Sequence, residues 1–186
     1  MKDRIKNAVL DILDNNPGDM LTVKLLCSEA GISKQTLYNY YYGITAALED
    51  LIDDLMDESF DDAFDHTNVK AAMSVLRVMN EHQKVFLHLY SSKRYHDEMM
   101  RIIGSKMRAI TERSVDKCIS EKDADISEFS RNIVVGFYLD LYMGVIDRYL
   151  SAKMSYDSEA IGSIYDAIMY DHNTQEALIR LSTIKL

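Results

Sequence analysis

Thr-Val-Lys-Leu-Leu-Cys-Ser-Glu-Ala-Gly-Ile-Ser-Lys-Gln-Thr-Leu-Tyr-Asn-Tyr-Tyr, residues 22–41, reads as two short helices joined by a tight glycine turn. Val23, Leu26, Cys27 and Ala30 give the first helix one packed face, and Gly31 permits the positive φ such a turn needs. Ile32, Leu37 and Tyr40 are placed to seat the second helix, with Ser33 as its N-cap. The other face then carries Lys34, Gln35, Thr36, Tyr38 and Asn39, side chains that donate to phosphates and base edges in a major groove. Two helices so joined, with polar groups loaded onto the second, form a DNA-reading helix-turn-helix.

Outward from this stretch, one helix is predicted on its N-terminal side. Ile5, Ala8, Val9, Ile12 and Leu13 recur at single-face spacing over about Lys2 to Asn15, and Asn15-Asn16-Pro17-Gly18 ends the pattern. On the other side, Gly43 breaks the recognition helix. A long amphipathic helix, about Ile44 to Asp65, sets Leu48, Leu51, Ile52, Leu55, Met56, Phe60, Ala63 and Phe64 on one face. Five further helices are expected: Val69 to Asn80, Gln83 to Tyr90, Tyr95 to Ser120, Ile126 to Ala152 and Asp157 to Thr183. One proline and seven glycines in 186 residues, with no strand-like alternation, agree with an all-α chain of about nine helices. Residues 1–45 form the head and 46–186 the body, with 46–65 as the connecting helix.

Thr22-Val23 before the motif, Ala30-Gly31-Ile32-Ser33-Lys34 at the turn and Thr36-Leu37-Tyr38-x-Tyr40 at its end together resemble the TetR family of transcription regulators. The match covers about a quarter of the chain; the body matches only in length and helical pattern. The resemblance implies a three-helix DNA-binding head on a helical body that binds a small-molecule effector and dimerises through its last two long helices. It places Thr22 and Lys24 at phosphates, Lys34, Gln35 and Thr36 at bases, and Tyr38 and Tyr40 on the DNA backbone, with Ser33 and Asn39 completing the DNA-binding set. The chain departs from the family where Phe-x-x-Lys is usual: it has Tyr41-Tyr42-Gly43-Ile44, without the phosphate-anchoring lysine.

Charge is distributed unevenly around a net −9. Residues 1–45 are neutral, with Lys2, Arg4, Lys6, Lys24 and Lys34 against five acids, and three to five of these bases per subunit are expected at phosphates. Residues 46–65 hold Glu49, Asp50, Asp53, Asp54, Asp57, Glu58, Asp61, Asp62 and Asp65 and no Lys or Arg, so the whole imbalance lies on the connecting helix. That face reads as solvated or as a docking surface.

In the body, Ile133 to Ile146 is apolar nearly all round, which predicts a helix buried on more than one side. Val134, Leu141 and Val145, with Ile161, Ile164, Tyr165 and Ile168 of the last helix, are the expected homodimer interface. Phe86, Tyr90, Met100, Ile103, Met107, Phe137, Tyr138 and Tyr142 are candidates to line an effector cavity, since Met and aromatic side chains adapt to apolar ligands; plain core packing is the competing reading. Asp140 joins them. It shares a stripe with Gly136 and Gly144 where another helix is expected to approach, and it would pair with Arg101, Arg108 or Arg113, a tyrosine hydroxyl, or a cationic ligand group.

No nucleophile, base and charge-stabilising set converges, and Gly-x-Ser-x-Gly, His-Glu-x-x-His and a phosphate loop are all missing, so catalysis and cofactors are not expected. His96-Asp97-Glu98 is the densest potential metal group. Adjacent helical positions diverge by about 100°, so it does not read as a ligand set unless a helix begins there. Cys27 and Cys118 lack metal spacing and suit a reducing compartment. The N-terminus shows no signal-peptide pattern and no segment is long enough for a bilayer span, which predicts a cytoplasmic protein. The expected function is a homodimeric repressor on a palindromic double-stranded operator, released by a small molecule. The alternative is a co-regulator of the same fold that acts through a protein partner and binds DNA weakly.

Overall fold

The computed structural model describes residues 1–15, 21–60, 68–121, 125–157 and 160–161, and among these all regular structure is helical. Eight helices follow in order: α1 (Lys2–Asn15), α2 (Val23–Glu29), α3 (Lys34–Tyr40), α4 (Ile44–Phe60), α5 (Asn68–Glu81), α6 (Gln83–Ser91), α7 (His96–Glu121) and α8 (Glu128–Ser151). The expected ninth helix falls almost wholly outside the described residues, with Ile164, Tyr165 and Ile168. The start of α8 shifts from the expected Ile126 because Ser127 is its N-cap: the Ser127 hydroxyl accepts from the Ser130 N–H at 3.1 Å.

Two compact units divide the chain. The first comprises Met1–Glu58 and Val78–Ile102. Packing carries it beyond the head of residues 1–45, because α1 lies against α6 as well as α2. Ile5, Val9, Ile12 and Leu13 of α1 join Leu26, Leu37, Leu48, Ile52, Phe86 and Leu89 in its core, all essentially inaccessible. Each such side chain contributes about 1.5–3 kcal/mol by leaving water. That burial is needed locally, since α2 and α3 have seven residues each and helices so short do not persist alone. Tyr95 fastens the start of the motif: its buried hydroxyl donates to the Leu21 carbonyl at 3.1 Å, one residue before the α2 N-cap.

The second unit comprises Ser59–Arg77 and Ile103–Leu186. Within it α7 and α8 run antiparallel: Gly104 faces Met143, while Asp116 receives both the Nε and Nη2 of Arg131 at 2.5 and 2.7 Å. Val135, Leu139, Tyr142, Ile146 and Tyr149 form the buried side of α8. Its outer side carries Phe129, Ile133 and Phe137, 61, 59 and 53% exposed at steps of four residues. Apolar residues nearly all round α8 thus divide into a core face and a largely exposed face.

Candidate nucleic acid interface

Local rules build the helix-turn-helix. Thr22 caps α2 by accepting from the Leu25 N–H at 3.1 Å, and Ser33 caps α3 by accepting from Thr36 at 3.0 Å. Between them Gly31 takes φ +59, its N–H bonds the Ser28 carbonyl at 3.2 Å, and the Ile32 N–H bonds Cys27 at 2.9 Å. This paired 6→1 and 5→2 closure is a Schellman turn, which needs the left-handed conformation at Gly31.

Leu37 is the buried side of α3, while Lys34, Gln35, Tyr38, Asn39 and Tyr40 are exposed. Tyr40 is 44% exposed, although spacing alone assigned it to seating the helix. Gln35 donates to Asn39 at 3.3 Å, which aligns two amide side chains along one exposed edge. Thr36 is half-buried and its hydroxyl is 2.9 Å from that of Ser33. Lys24 is exposed on α2, and Thr22 is half-buried. Thr22, Ser33 and Thr36 therefore serve the fold first, and the groups fully available to a ligand are Lys24, Lys34, Gln35, Tyr38, Asn39 and Tyr40. Sequence reasoning passed over Tyr42, which stands fully exposed between α3 and α4.

The bases of α1 point elsewhere. Lys6 is only 9% exposed; its Nζ donates to Asp54 and lies 3.8 Å from Asp50. The Asp54 hydrogen bond, opposed by burial, raises the lysine above its ordinary pKa. Lys2 sits 3.5 Å from Asp50 and 5.2 Å from the Tyr41 ring centroid, and Arg4 Nη2 donates to the Gly31 carbonyl at 3.4 Å. Among the described residues of the head, only Lys24 and Lys34 are bases engaged in no such contact. The acidic helix is correspondingly less solvated than its composition suggests. Asp50 and Asp54 bind α1, and Glu49 receives Arg101 Nη2 at 2.6 Å while the same atom reaches Glu98 at 2.5 Å. Arg101 holds Glu98 down to about 2, and the adjacent Glu98 carboxylate pushes Glu49 up.

Ile44, at the position where the resemblance would place a lysine, is the first residue of α4 and 8% exposed: it is a core residue.

The remaining candidates separate by unit. In the first, Phe86 is buried, and Tyr90 and Met100 are half-buried. In the second, Ile103, Met107 and Tyr142 are buried and Tyr138 half-buried, but Phe137 and Asp140 are exposed on the outer side of α8. The helix approach expected along Gly136, Asp140 and Gly144 does not occur among the described residues, where a Cβ at either glycine would meet nothing within 4 Å. An exposed carboxylate at Asp140 stays hydrated and needs no arginine, and Arg101 is occupied by Glu98 and Glu49. Val134, Leu141, Val145 and Ile161 are half-buried. Helix α7 does begin at His96, and the His96 Nδ1 lies 3.0 Å from Asp97 Oδ1 with the Tyr90 ring 4.9 Å away. Among the described residues no group of three His, Cys, Asp or Glu is placed to hold a metal ion, and no helix is long and apolar enough to cross a membrane.

No family model and no curated protein matches the chain by sequence. Among solved structures it is similar to the dihydroxyacetone kinase operon activator DhaS, with a TM-score of 0.58 and 16% identity over 97% of this chain and 95% of that one. It is also similar to a protein described as a fatty acid metabolism regulator of Clostridium perfringens, with a TM-score of 0.50 and 14% identity over 98% and 99% of the two chains. At these identities the likeness establishes a shared all-helical fold.

Proposed function

We propose that this chain is a homodimeric DNA-binding transcription regulator of the TetR type, with α3 as the recognition helix. The observation that carries the reading is α3 itself: capped at Ser33, seated by Leu37, with Lys34, Gln35, Tyr38, Asn39 and Tyr40 exposed together. Both structural neighbours are named as regulators, which supports the same reading. Self-association is supported by the exposed Phe129, Ile133 and Phe137 of α8, and two heads about 34–36 Å apart would match successive turns of a palindromic operator. The effector is proposed to be a small apolar molecule held among Ile103, Met107, Tyr138 and Tyr142 of the second unit. It would act through differential affinity for two head spacings. Repression is the proposed sign. One neighbour is named an activator, so the fold alone does not fix the sign.

One observation favours the co-regulator alternative: with Lys2 and Lys6 paired to Asp50 and Asp54, and Ile44 buried, the head keeps few cations for phosphate. Selection of duplexes from a random-sequence library by the purified protein, followed by mobility shift with random competitor, separates the two. Enrichment of a two-fold symmetric site is expected, and failure to enrich any duplex would leave only the co-regulator.

A further inference from the structure

Helix α3 is held unequally at its two ends. Its start is fixed by the Ser33 cap and the Schellman turn, whereas its last turn ends at Tyr41, an extended residue whose N–H closes on the Leu37 carbonyl at 2.9 Å. The Tyr41 side chain is 5% exposed, yet it carries a hydroxyl into that environment. The hydroxyl donates to Asp50 Oδ2 at 2.5 Å, seven residues into α4. The same oxygen lies 3.5 Å from Lys2 Nζ and 3.8 Å from Lys6 Nζ, and Lys6 is anchored one turn further along α4 by Asp54. One carboxylate oxygen thus collects donors from α1 and from the end of α3. A phenylalanine would fill the apolar space equally well. The polar bond adds direction, because a hydrogen bond to a charged acceptor is short-ranged and angle-dependent where apolar packing is not.

We propose that Tyr41 and Asp50 are positioning residues for the recognition helix: their bond, braced by Lys2 and Lys6, sets the orientation of the last turn of α3 relative to α4 and α1. The proposal rests on the DNA-binding reading for its consequence but not for its geometry. The electrostatics agree with a neutral phenol donating to an ionised carboxylate. Burial and then Asp50 push the Tyr41 hydroxyl up, and the Tyr41 hydrogen bond holds Asp50 below the usual carboxylate range.

The test uses the full chain as Tyr41→Phe, Asp50→Ala and the double variant, each read by thermal melt, amide hydrogen exchange and affinity for selected and random duplexes. Exchange across residues 37–41 is expected to quicken in Tyr41→Phe while the α1 core stays protected. Affinity for the selected duplex should fall by about tenfold, with the random duplex changed by less than about twofold. Adding Tyr41→Phe to Asp50→Ala should cost nothing further, since the acceptor is already gone. Unchanged exchange at the end of α3 would overturn the proposal, as would equal losses on both duplexes or additive effects in the double variant. If the wild-type chain selects no duplex, the functional reading fails, and the exchange and double-variant comparison still decides the positioning role.

Discussion

The first unit presents two polar surfaces that share lysine and tyrosine, and they do opposite things. Along α3, Lys34, Gln35, Asn39 and the tyrosines are left facing outward, bonded at most to one another. Along the seam of α1 with α4, Lys2, Lys6, Asp50 and Asp54 are spent on each other and on Tyr41. A charged side chain that closes a seam contributes to stability and little to binding; one on an open face does the reverse.

Exchanging one lysine from each surface gives the sharpest test. Lys6→Ala removes a partner from Asp54, which is half-exposed and regains water, and from Asp50, which keeps Lys2 and Tyr41, and should cost about 1–2 kcal/mol after that screening. Lys34→Ala should leave the melt within about 0.5 kcal/mol while weakening binding to specific and random DNA alike. On the same open face, Gln35→Ala should cost about 1–3 kcal/mol on the selected duplex alone. Should Lys6→Ala melt like the wild type and lose DNA affinity instead, the division between seam and face collapses.

Ile44 belongs with the seam despite its position in sequence. Ile44→Lys places an ammonium at an 8% exposed site and should lower stability by about 1–3 kcal/mol, tempered by the stem reaching towards water. Unchanged stability with tighter random-DNA binding would move residue 44 to the open face.

These assignments show which parts were legible in the sequence. The cap at Ser33 and the glycine turn were, because capping and positive φ are rules among residues within four positions; the cap at Thr22 follows the same local rule, but the resemblance gave that residue only a phosphate contact. Lys6 and Asp54 are 48 positions apart, and no local pattern pairs them. The acidic face of α4 therefore looked like an uncompensated surface. Ile44 read as a lost cation when its burial was the informative fact, and Tyr41 gave no sign that its hydroxyl reaches Asp50. On α8 the apolar excess was visible. Which residues faced outward was not, since Phe129, Ile133 and Phe137 are as apolar as Val135 and Leu139 and differ from them in tertiary burial, which no local pattern records.

The seam also has a pH signature. Asp50 lies below its ordinary value, so its contribution is present above about pH 4 and is lost as pH falls through its folded-state value. Lys6 is raised, so its contribution is full below about pH 10 and is lost as pH rises through its folded-state value. Stability from the seam should hold between those limits. Asp50→Asn should flatten the acid limb of a melting-temperature profile, by less than the loss in Lys6→Ala. An acid limb identical in variant and wild type would show that the carboxylate is not held as the geometry indicates.

Arg4 is the borderline group and carries the smallest expected effect. It is exposed like a face residue, but its guanidinium donates to the Gly31 carbonyl at 3.4 Å and lies over that glycine, 2.7 Å from where a Cβ would stand. A long, exposed hydrogen bond is worth little, so Arg4→Ala should change stability by no more than about 0.5 kcal/mol. DNA binding makes the assignment decisive. If Lys24 and Lys34 alone reach phosphates, a dimer neutralises about four, and the log–log salt slope should be roughly −3 to −5, shallower than five available bases per head would give. Arg4→Ala should leave that slope unchanged, because the arginine braces the turn. A slope shallower by about two units would put both Arg4 side chains of the dimer on phosphate, and the open face would then extend across the turn onto α1.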